Sequence, residues 1–348
     1  MRTMSARHPF FLSPSSARSV CSWMDAWSSL CELFKEFDGR AGVPRRQSTC
    51  RLMNDAAMSC ASWVASLANG TTSSRGNHYY SQSRQDHILR TIFQRIGTSN
   101  REAVEFGFGY APPGLHGERL LSSNVALNTR ALGKEGWRVT YFDALIEDSE
   151  ANVRQVLLTE GNIVQAFHNA SIPREVDYVS IDVDSIDVWL LRALLLHRHY
   201  RPRVISIEYN RNFLLDMFVT CQRTWHAWTG RSVFGASASA INLVASDFGY
   251  LPVHVMREGY DIFLVREDIL REHAGCSDGL PSFESLVNGT LGVRHHRRCS
   301  AQDAARLVDL RLELGGQHEA AKAAALRDVV RLNALHPHTP MCNLSWVT

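Results

Sequence analysis

A chain of 348 residues, 45% hydrophobic and 21% charged, suffices for one large α/β domain with extensions or for two modest domains. A formal net charge of +2 leaves no electrostatic footprint for nucleic acid, so no specific nucleic-acid partner is expected. No apolar run reaches about eighteen residues, so no transmembrane segment is expected.

The N-terminus carries Arg2, Arg7 and Arg18, many serines and no acid before Asp25. That is the composition of an organelle transit peptide, and Ser-rich leaders share it. The expectation is a cytoplasmic or organellar protein. Residues 1–76 read as a Ser/Arg-rich leader with a helix over 22–37, closing on a linker at 69–76. Eight cysteines include Cys21, Cys31, Cys50 and Cys60, whose spacing reads as chance rather than as a disulfide framework. No CxxC pair occurs, which argues against zinc. Glycosylation sequons stand at Asn69, Asn169, Asn288 and Asn343, but carry no information without a secretory signal, for which His8-Pro-Phe-Phe-Leu12 is too short an apolar run.

Residues 77–275 read as one α/β domain. Ile88, Leu89, Ile92, Phe93 and Ile96 at helical spacing predict a helix over 85–96. Strands follow at 103–106 and 137–142, with a loop through Asn124 and a helix from about Asn128 between them. Further strands are expected at 176–181 and 203–208, around an apolar helix at 188–196. A helix over 236–248 leads to strands at 251–257 and 261–265. Glu258-Gly-Tyr260 joins these two closely enough for a hairpin. Strand, helix and strand at this spacing imply a mainly parallel sheet with right-handed crossovers. The sheet would end on an antiparallel hairpin.

Residues 276–348 read as a linker and helical tail. Ser300-Ala-Gln-Asp303 forms a capping box, and Leu307, Leu310 and Leu314 fall on one helical face. Gly315-Gly316 breaks that helix, and residues 320–335 resume it. The expected result is a helical hairpin packed on the core or on a second subunit.

Chemistry concentrates at the ends of the predicted strands. In Val104-Glu-Phe-Gly-Phe-Gly109, an acid and two glycines follow a strand, where a Cβ at Gly107 or Gly109 would obstruct a ligand against the backbone. Any tight strand-to-helix turn can use the same glycines. Asp143 ends the second strand, placed to accept from paired ribose hydroxyls or to cap a following helix. Asp182, Asp184 and Asp187 crowd the end of the third strand, and their repulsion calls for solvent or a cation. Glu208 and Asn210 end the next strand. Asp182, Glu208 and Asn210 make an oxygen set suited to Mg²⁺, although Asp184 and Asp187 also suit a helix cap. Trp225, His226 and Trp228 read as packing, and His295-His-Arg-Arg298 as a short basic loop. No Gly-x-Ser-x-Gly, Walker loop or HExxH motif occurs.

The ordered series Tyr80-Ser-Gln, Gln85-Asp, Val104-Glu-Phe-Gly, Leu127-Asn-Thr, Gly136-Trp, Phe142-Asp-Ala, 177–189, Val204-Ile-Ser-Ile-Glu-Tyr-Asn and Gly259-Tyr-Asp-Ile-Phe resembles the FkbM-like branch of S-adenosylmethionine-dependent methyltransferase-domain proteins. The resemblance covers residues 79–270. It implies a Rossmann-like methyltransferase fold, S-adenosyl-L-methionine as cosubstrate and methyl transfer to oxygen. Carried over, Glu105, Gly107 and Gly109 line the methionine end, Asp143 the ribose and Asp182 the floor of the site. The chain departs from the family pattern at Tyr110-Ala-Pro-Pro and at Asp184-Ser185.

The expected function is O-methylation of a small-molecule or glycan acceptor, with Asp182 or Asp184 as base and Mg²⁺ as an assisting cation. The alternative is a noncatalytic methyltransferase-like binding or scaffold protein. A nicotinamide-dependent oxidoreductase is weaker, because Pro112 stands where the third glycine of that fingerprint belongs.

Overall fold

The computed structural model describes residues 59–68, 80–109, 111–124, 126–225, 228–276, 279–292 and 298–344. The predicted helix over 22–37, the linker at 69–76, Tyr110, His226 and most of the basic stretch at 295–298 lie outside them. The described residues all fall in a single unit, Ser59–Thr348.

Among the described residues two helices precede the sheet, α1 (Cys60–Ala68) and α2 (Gln85–Ile96). The second matches its expected span because its apolar positions repeat at helical spacing, and all five are buried. Strand β1 (Glu102–Phe106) follows, then two short helices, α3 (Gly117–Ser123) and α4 (Arg130–Lys134). The polar stretch expected as loop therefore contains α3. Only Gly117 and Leu120 of that helix are buried, too few to write a period into the sequence.

Strands β2 (Arg138–Asp143) and β3 (Val153–Gln155) come next, then helix α5 (Ile163–Asn169). Strand β4 (Tyr178–Ile181), helix α6 (Asp187–Leu195) and strand β5 (Val204–Glu208) form the central crossover. Strand β6 (Val219–Cys221) and helix α7 (Ala238–Asp247) lead to the hairpin of β7 (Tyr250–Val255) and β8 (Asp261–Arg266). Helices α8 (Glu267–His273) and α9 (Phe283–Val287) follow.

The main sheet has seven strands in the order β3-β2-β1-β4-β5-β8-β7. Strands β1 to β5 pair in parallel, and β8 runs antiparallel to both β5 and β7. The expected mainly parallel sheet with a terminal antiparallel hairpin is present.

Side-chain alternation divides the two faces of the sheet. Val104, Phe106, Val179, Ile181, Ile205 and Ile207 enter the larger core with Trp189 and the rest of α6. Tyr178 and Val204 enter the opposite cluster with Ile88, Leu89 and Ile92 of α2. Trp189 is fully buried, and its indole N–H donates to the Cys221 carbonyl at 2.8 Å. Burial of such a side chain contributes on the order of 3 kcal/mol.

The starting ends of the strands are tied by one buried carboxylate. Asp177 accepts the backbone N–H groups of Ser99, Asn100 and Arg101 at 2.7–2.9 Å, and Arg203 Nη1 at 2.8 Å. Asp177 is fully buried and Arg203 is 5% exposed. Four donors on one carboxylate offset the cost of burying it.

The tail departs from the expected hairpin. Strand β9 (Cys299–Ser300) opens it, and the Ser300–Asp303 capping box is present at the start of α10 (Ala301–Ala304). Residues 307–309 then form strand β10 (Leu307–Asp309) instead of continuing a helix. This strand pairs antiparallel with β6, and its main-chain groups are satisfied there. Helix α11 (Leu310–Leu314) ends at Gly315, α12 (His318–Leu335) resumes, and β11 (Cys342–Asn343) pairs with β9. Among the described residues two disulfides tie distant segments, Cys60 to Cys276 and Cys299 to Cys342. The partner of Cys60 therefore lies 216 residues downstream, not among the early cysteines.

Candidate active site

The parallel strands bring their C-terminal ends to one sheet edge, the place where open α/β folds bind ligands. Residues 107–109, Asp143, Asp182 and Glu208 all lie there, and Asp261 joins them because β8 runs in the opposite direction.

The turn after β1 uses its two glycines differently. Both have positive φ, +75° at Gly107 and +85° at Gly109. A Cβ on Gly107 would collide with the Asp182 carbonyl, so that glycine is required by the neighbouring loop of the protein itself. A Cβ on Gly109 would meet nothing within 4 Å. Only Gly109 faces open space.

Glu105 points to the interior. One oxygen accepts the Asn128 N–H at 2.7 Å, and the other accepts the Thr129 N–H at 3.0 Å and its hydroxyl. The side chain is 4% exposed. Burial lifts its pKa to about 7 against the pull of those hydrogen bonds. Its position opposite Ser180 in the strand register directs it into the protein under the turn before α4.

Asp143 links two strand ends. Oδ1 accepts from Leu145 N at 2.7 Å and Ile146 N at 3.0 Å, and Oδ2 accepts from Gly109 N at 3.3 Å. It caps a turn, since no helix begins there. Each carboxylate oxygen has more than one acceptor site, so Asp143 retains capacity for a ligand. Leu145 beside it is 84% exposed, an apolar side chain standing in the open.

Asp182, Asp184 and Glu208 are brought together, each offering an oxygen within 4.8 Å of the others. All three are half-buried. Among the described residues no lysine or arginine pairs with them. Burial, and then the charge of neighbouring carboxylates, pushes Asp182 and Glu208 well above the usual carboxylate range. Burial lifts Asp184 to about 6. Glu208 Oε2 is enclosed without a hydrogen-bond partner. Asp184 reaches the group from a left-handed backbone, φ +57°.

One acid and one amide noted in the sequence have other partners. Asp187 accepts from Val183 N and Ser185 N, both at 2.8 Å, and so fastens the loop that carries Asp182 and Asp184. Asn210 does not join the acids. Its amide donates to the carbonyls of Ser232 and Phe234 at 2.9 and 3.1 Å, and its Oδ1 accepts from Asn212 N. Of the aromatic set, Trp225 is buried, whereas Trp228 is exposed and donates to the Arg231 carbonyl.

Under the site runs a polar network that links residues from several of the sequence motifs. Asp261 accepts from Gln85 Nε2 at 3.1 Å and from Asn128 Nδ2 at 3.3 Å. Asn128 Nδ2 also donates to Ser180 Oγ, which bonds Ser206 Oγ, itself bonded to the Tyr178 hydroxyl. Ser180 and Ser206 are opposite each other on β4 and β5. Two serines at matching positions in otherwise apolar strands were the signal for this network in the sequence.

No family model and no curated protein matches the chain. Among solved structures it is similar to the N-terminal domain of EvdMO1 in the presence of SAH and D-fucose. There the identity is 12% and the TM-score 0.31, over 65% of this chain and 99% of that one. The same domain with SAH bound is similar at 14% identity and TM-score 0.31, with the same coverage. The sheet order and its terminal hairpin make this a Rossmann-like α/β fold, mainly parallel and closing on an antiparallel hairpin.

Proposed function

We propose that this protein is an S-adenosylmethionine-dependent methyltransferase of the FkbM-like type, acting on a hydroxyl of a small molecule or glycan. The observation that carries the proposal is the meeting of Asp182, Asp184 and Glu208 beside the open Gly109 turn and the Asp143 carboxylate.

The residues fit the cosubstrate in two places. Gly109 leaves space where a side chain would stand, and Asp143 can accept from ribose hydroxyls. Glu105 supports this edge from beneath by holding Asn128 and Thr129. Leu145 offers an apolar surface to the base. Bound S-adenosylmethionine would supply an electrophilic methyl group whose bond to sulfur breaks as the bond to the acceptor oxygen forms. Asp182 or Asp184 takes the hydroxyl proton, and the rest of the site positions the acceptor in line.

The acid cluster fits a hard divalent cation such as Mg²⁺. All three donors are carboxylates, and Glu208 Oε2 has no other partner. Asp182, Asp184 and Glu208 are the ligands in this proposal, and Asn210 is left out because its amide is engaged. The cation would lower the acidity barrier of the acceptor hydroxyl.

A noncatalytic binding or scaffold protein is the second reading, and the engagement of both Glu105 oxygens by the protein favours it. Transfer of an isotopically labelled methyl group from S-adenosylmethionine to an acceptor pool separates the two. Transfer that Asp182→Asn and chelation each abolish, with S-adenosylhomocysteine still bound, supports the metal-assisted enzyme. Binding without transfer to any acceptor supports the scaffold.

A further inference from the structure

The two disulfides and the glycosylation sequons are used by neither the fold's site nor its proposed chemistry. Cys60 and Cys276 bridge α1 to the segment after α8, and Cys299 and Cys342 bridge the paired strands β9 and β11. All four cysteines are buried, at 6%, 5%, 0% and 1% exposure. Such bonds persist where the surroundings are oxidising and are rare in the reducing cytosol. Each forms from two thiols that give up two protons and two electrons to a thiol–disulfide oxidant.

Independently, Asn169-Ala-Ser171 and Asn288-Gly-Thr290 present their asparagines on the surface. Asn169 is the last residue of α5. Its Oδ1 accepts from Gln165 Nε2 at 2.7 Å, so that bond does not engage the amide nitrogen, the atom to be modified. Helix α5 feeds β4 from its starting end, so a group on Asn169 stands away from Asp182 and Glu208 at the other end. Asn288 follows α9 and is exposed, whereas Thr290 is fully buried and donates its hydroxyl to the Val287 carbonyl at 2.8 Å.

We propose that this chain folds in an oxidising, glycosylating compartment and carries N-linked glycans on Asn169 and Asn288. The amide nitrogen of each asparagine forms a bond to the anomeric carbon of a lipid-pyrophosphate-linked oligosaccharide. The bond from that carbon to the pyrophosphate oxygen breaks, the lipid pyrophosphate leaves, and an amide proton passes to a base of the transferring enzyme. At Asn288 the transfer precedes folding, since the Thr290 hydroxyl that the enzyme must reach is enclosed afterwards.

The test is peptide mapping of the full chain purified from its own cells. One aliquot is alkylated in denaturant without reductant, and another is treated with peptide-N-glycosidase in heavy-oxygen water. The expected result is heavy aspartate at positions 169 and 288. Cys60, Cys276, Cys299 and Cys342 should be blocked, and Cys221, which is buried without a disulfide, should be alkylated as an internal standard. Ser171→Ala should remove one glycan's mobility shift while leaving the exposed Asn169 in place. An asparagine found bare overturns its assignment as an acceptor. Alkylation of the four bridged cysteines without reductant overturns the compartment.

Discussion

The backbone carbonyl of Asp182 occupies the space that a Cβ on Gly107 would fill. The glycine turn and the acid loop are therefore packed against each other, and a change in one displaces the other. Gly107→Ala should lose about 1–2 kcal/mol from its left-handed backbone. Overpacking against Asp182 should remove about 1–3 kcal/mol more. Gly109→Ala has the strain without the collision, so its loss in denaturant titration should be the smaller. Equal losses would contradict the packing role given to Gly107.

Glu105 makes a pH prediction with a definite sign. Its pKa rises from 4.5 to about 7 on folding, chiefly through burial. Its contribution is complete below the unfolded pKa and is lost as pH rises through the folded one. Wild-type stability should therefore fall, relative to Glu105→Gln, between about pH 4.5 and 7. Parallel stability curves for the two proteins across that window would show that Glu105 does not titrate there.

The Asp177–Arg203 pair predicts a large effect far from the site. Asp177→Ala strands a buried guanidinium and leaves Ser99, Asn100 and Arg101 N–H groups without their acceptor. The cost should be about 3–5 kcal/mol, read as a lower urea midpoint. A loss within the error of the titration would mean that water replaces the carboxylate without penalty.

The disulfides should stabilise in proportion to the loops they close. Cys60→Ser opens a loop spanning 216 residues and Cys299→Ser one spanning 43. Chain entropy predicts losses of about 2–5 kcal/mol, larger for the longer loop. Equilibrium denaturation of the oxidised proteins checks both the size and the order.

Long amphipathic or apolar segments were legible in the sequence. Helix α2 has its expected bounds because five apolar residues repeat at one spacing, and the four longer strands outside the hairpin, and the hairpin itself, appear where apolar runs rich in β-branched residues stand. Strands β3, β6 and β10 were missed because three residues carry no period, and their stability comes from pairing with distant chain. Strand β10 shows this most plainly, since its Leu307 also suited a helical face. In the site, the crowding of Asp182, Asp184 and Glu208 followed from strand ends alone. The inward turn of Glu105 and Asn210 did not, because their partners at Asn128, Thr129, Ser232 and Phe234 are set by loops whose paths leave no local pattern. The pairing of Cys60 with Cys276 is equally non-local.

Binding of S-adenosylhomocysteine to the purified full chain, measured by titration calorimetry, bears most directly on the proposed function. Saturable binding to one site is expected, weakened about tenfold or more by Asp143→Ala as hydrogen bonds to a charged group are lost. Asp177→Asn, at the opposite sheet edge, should leave the affinity unchanged wherever the variant remains folded. No binding at millimolar ligand by a folded wild-type chain would contradict the methyltransferase reading and the scaffold that binds the same cosubstrate.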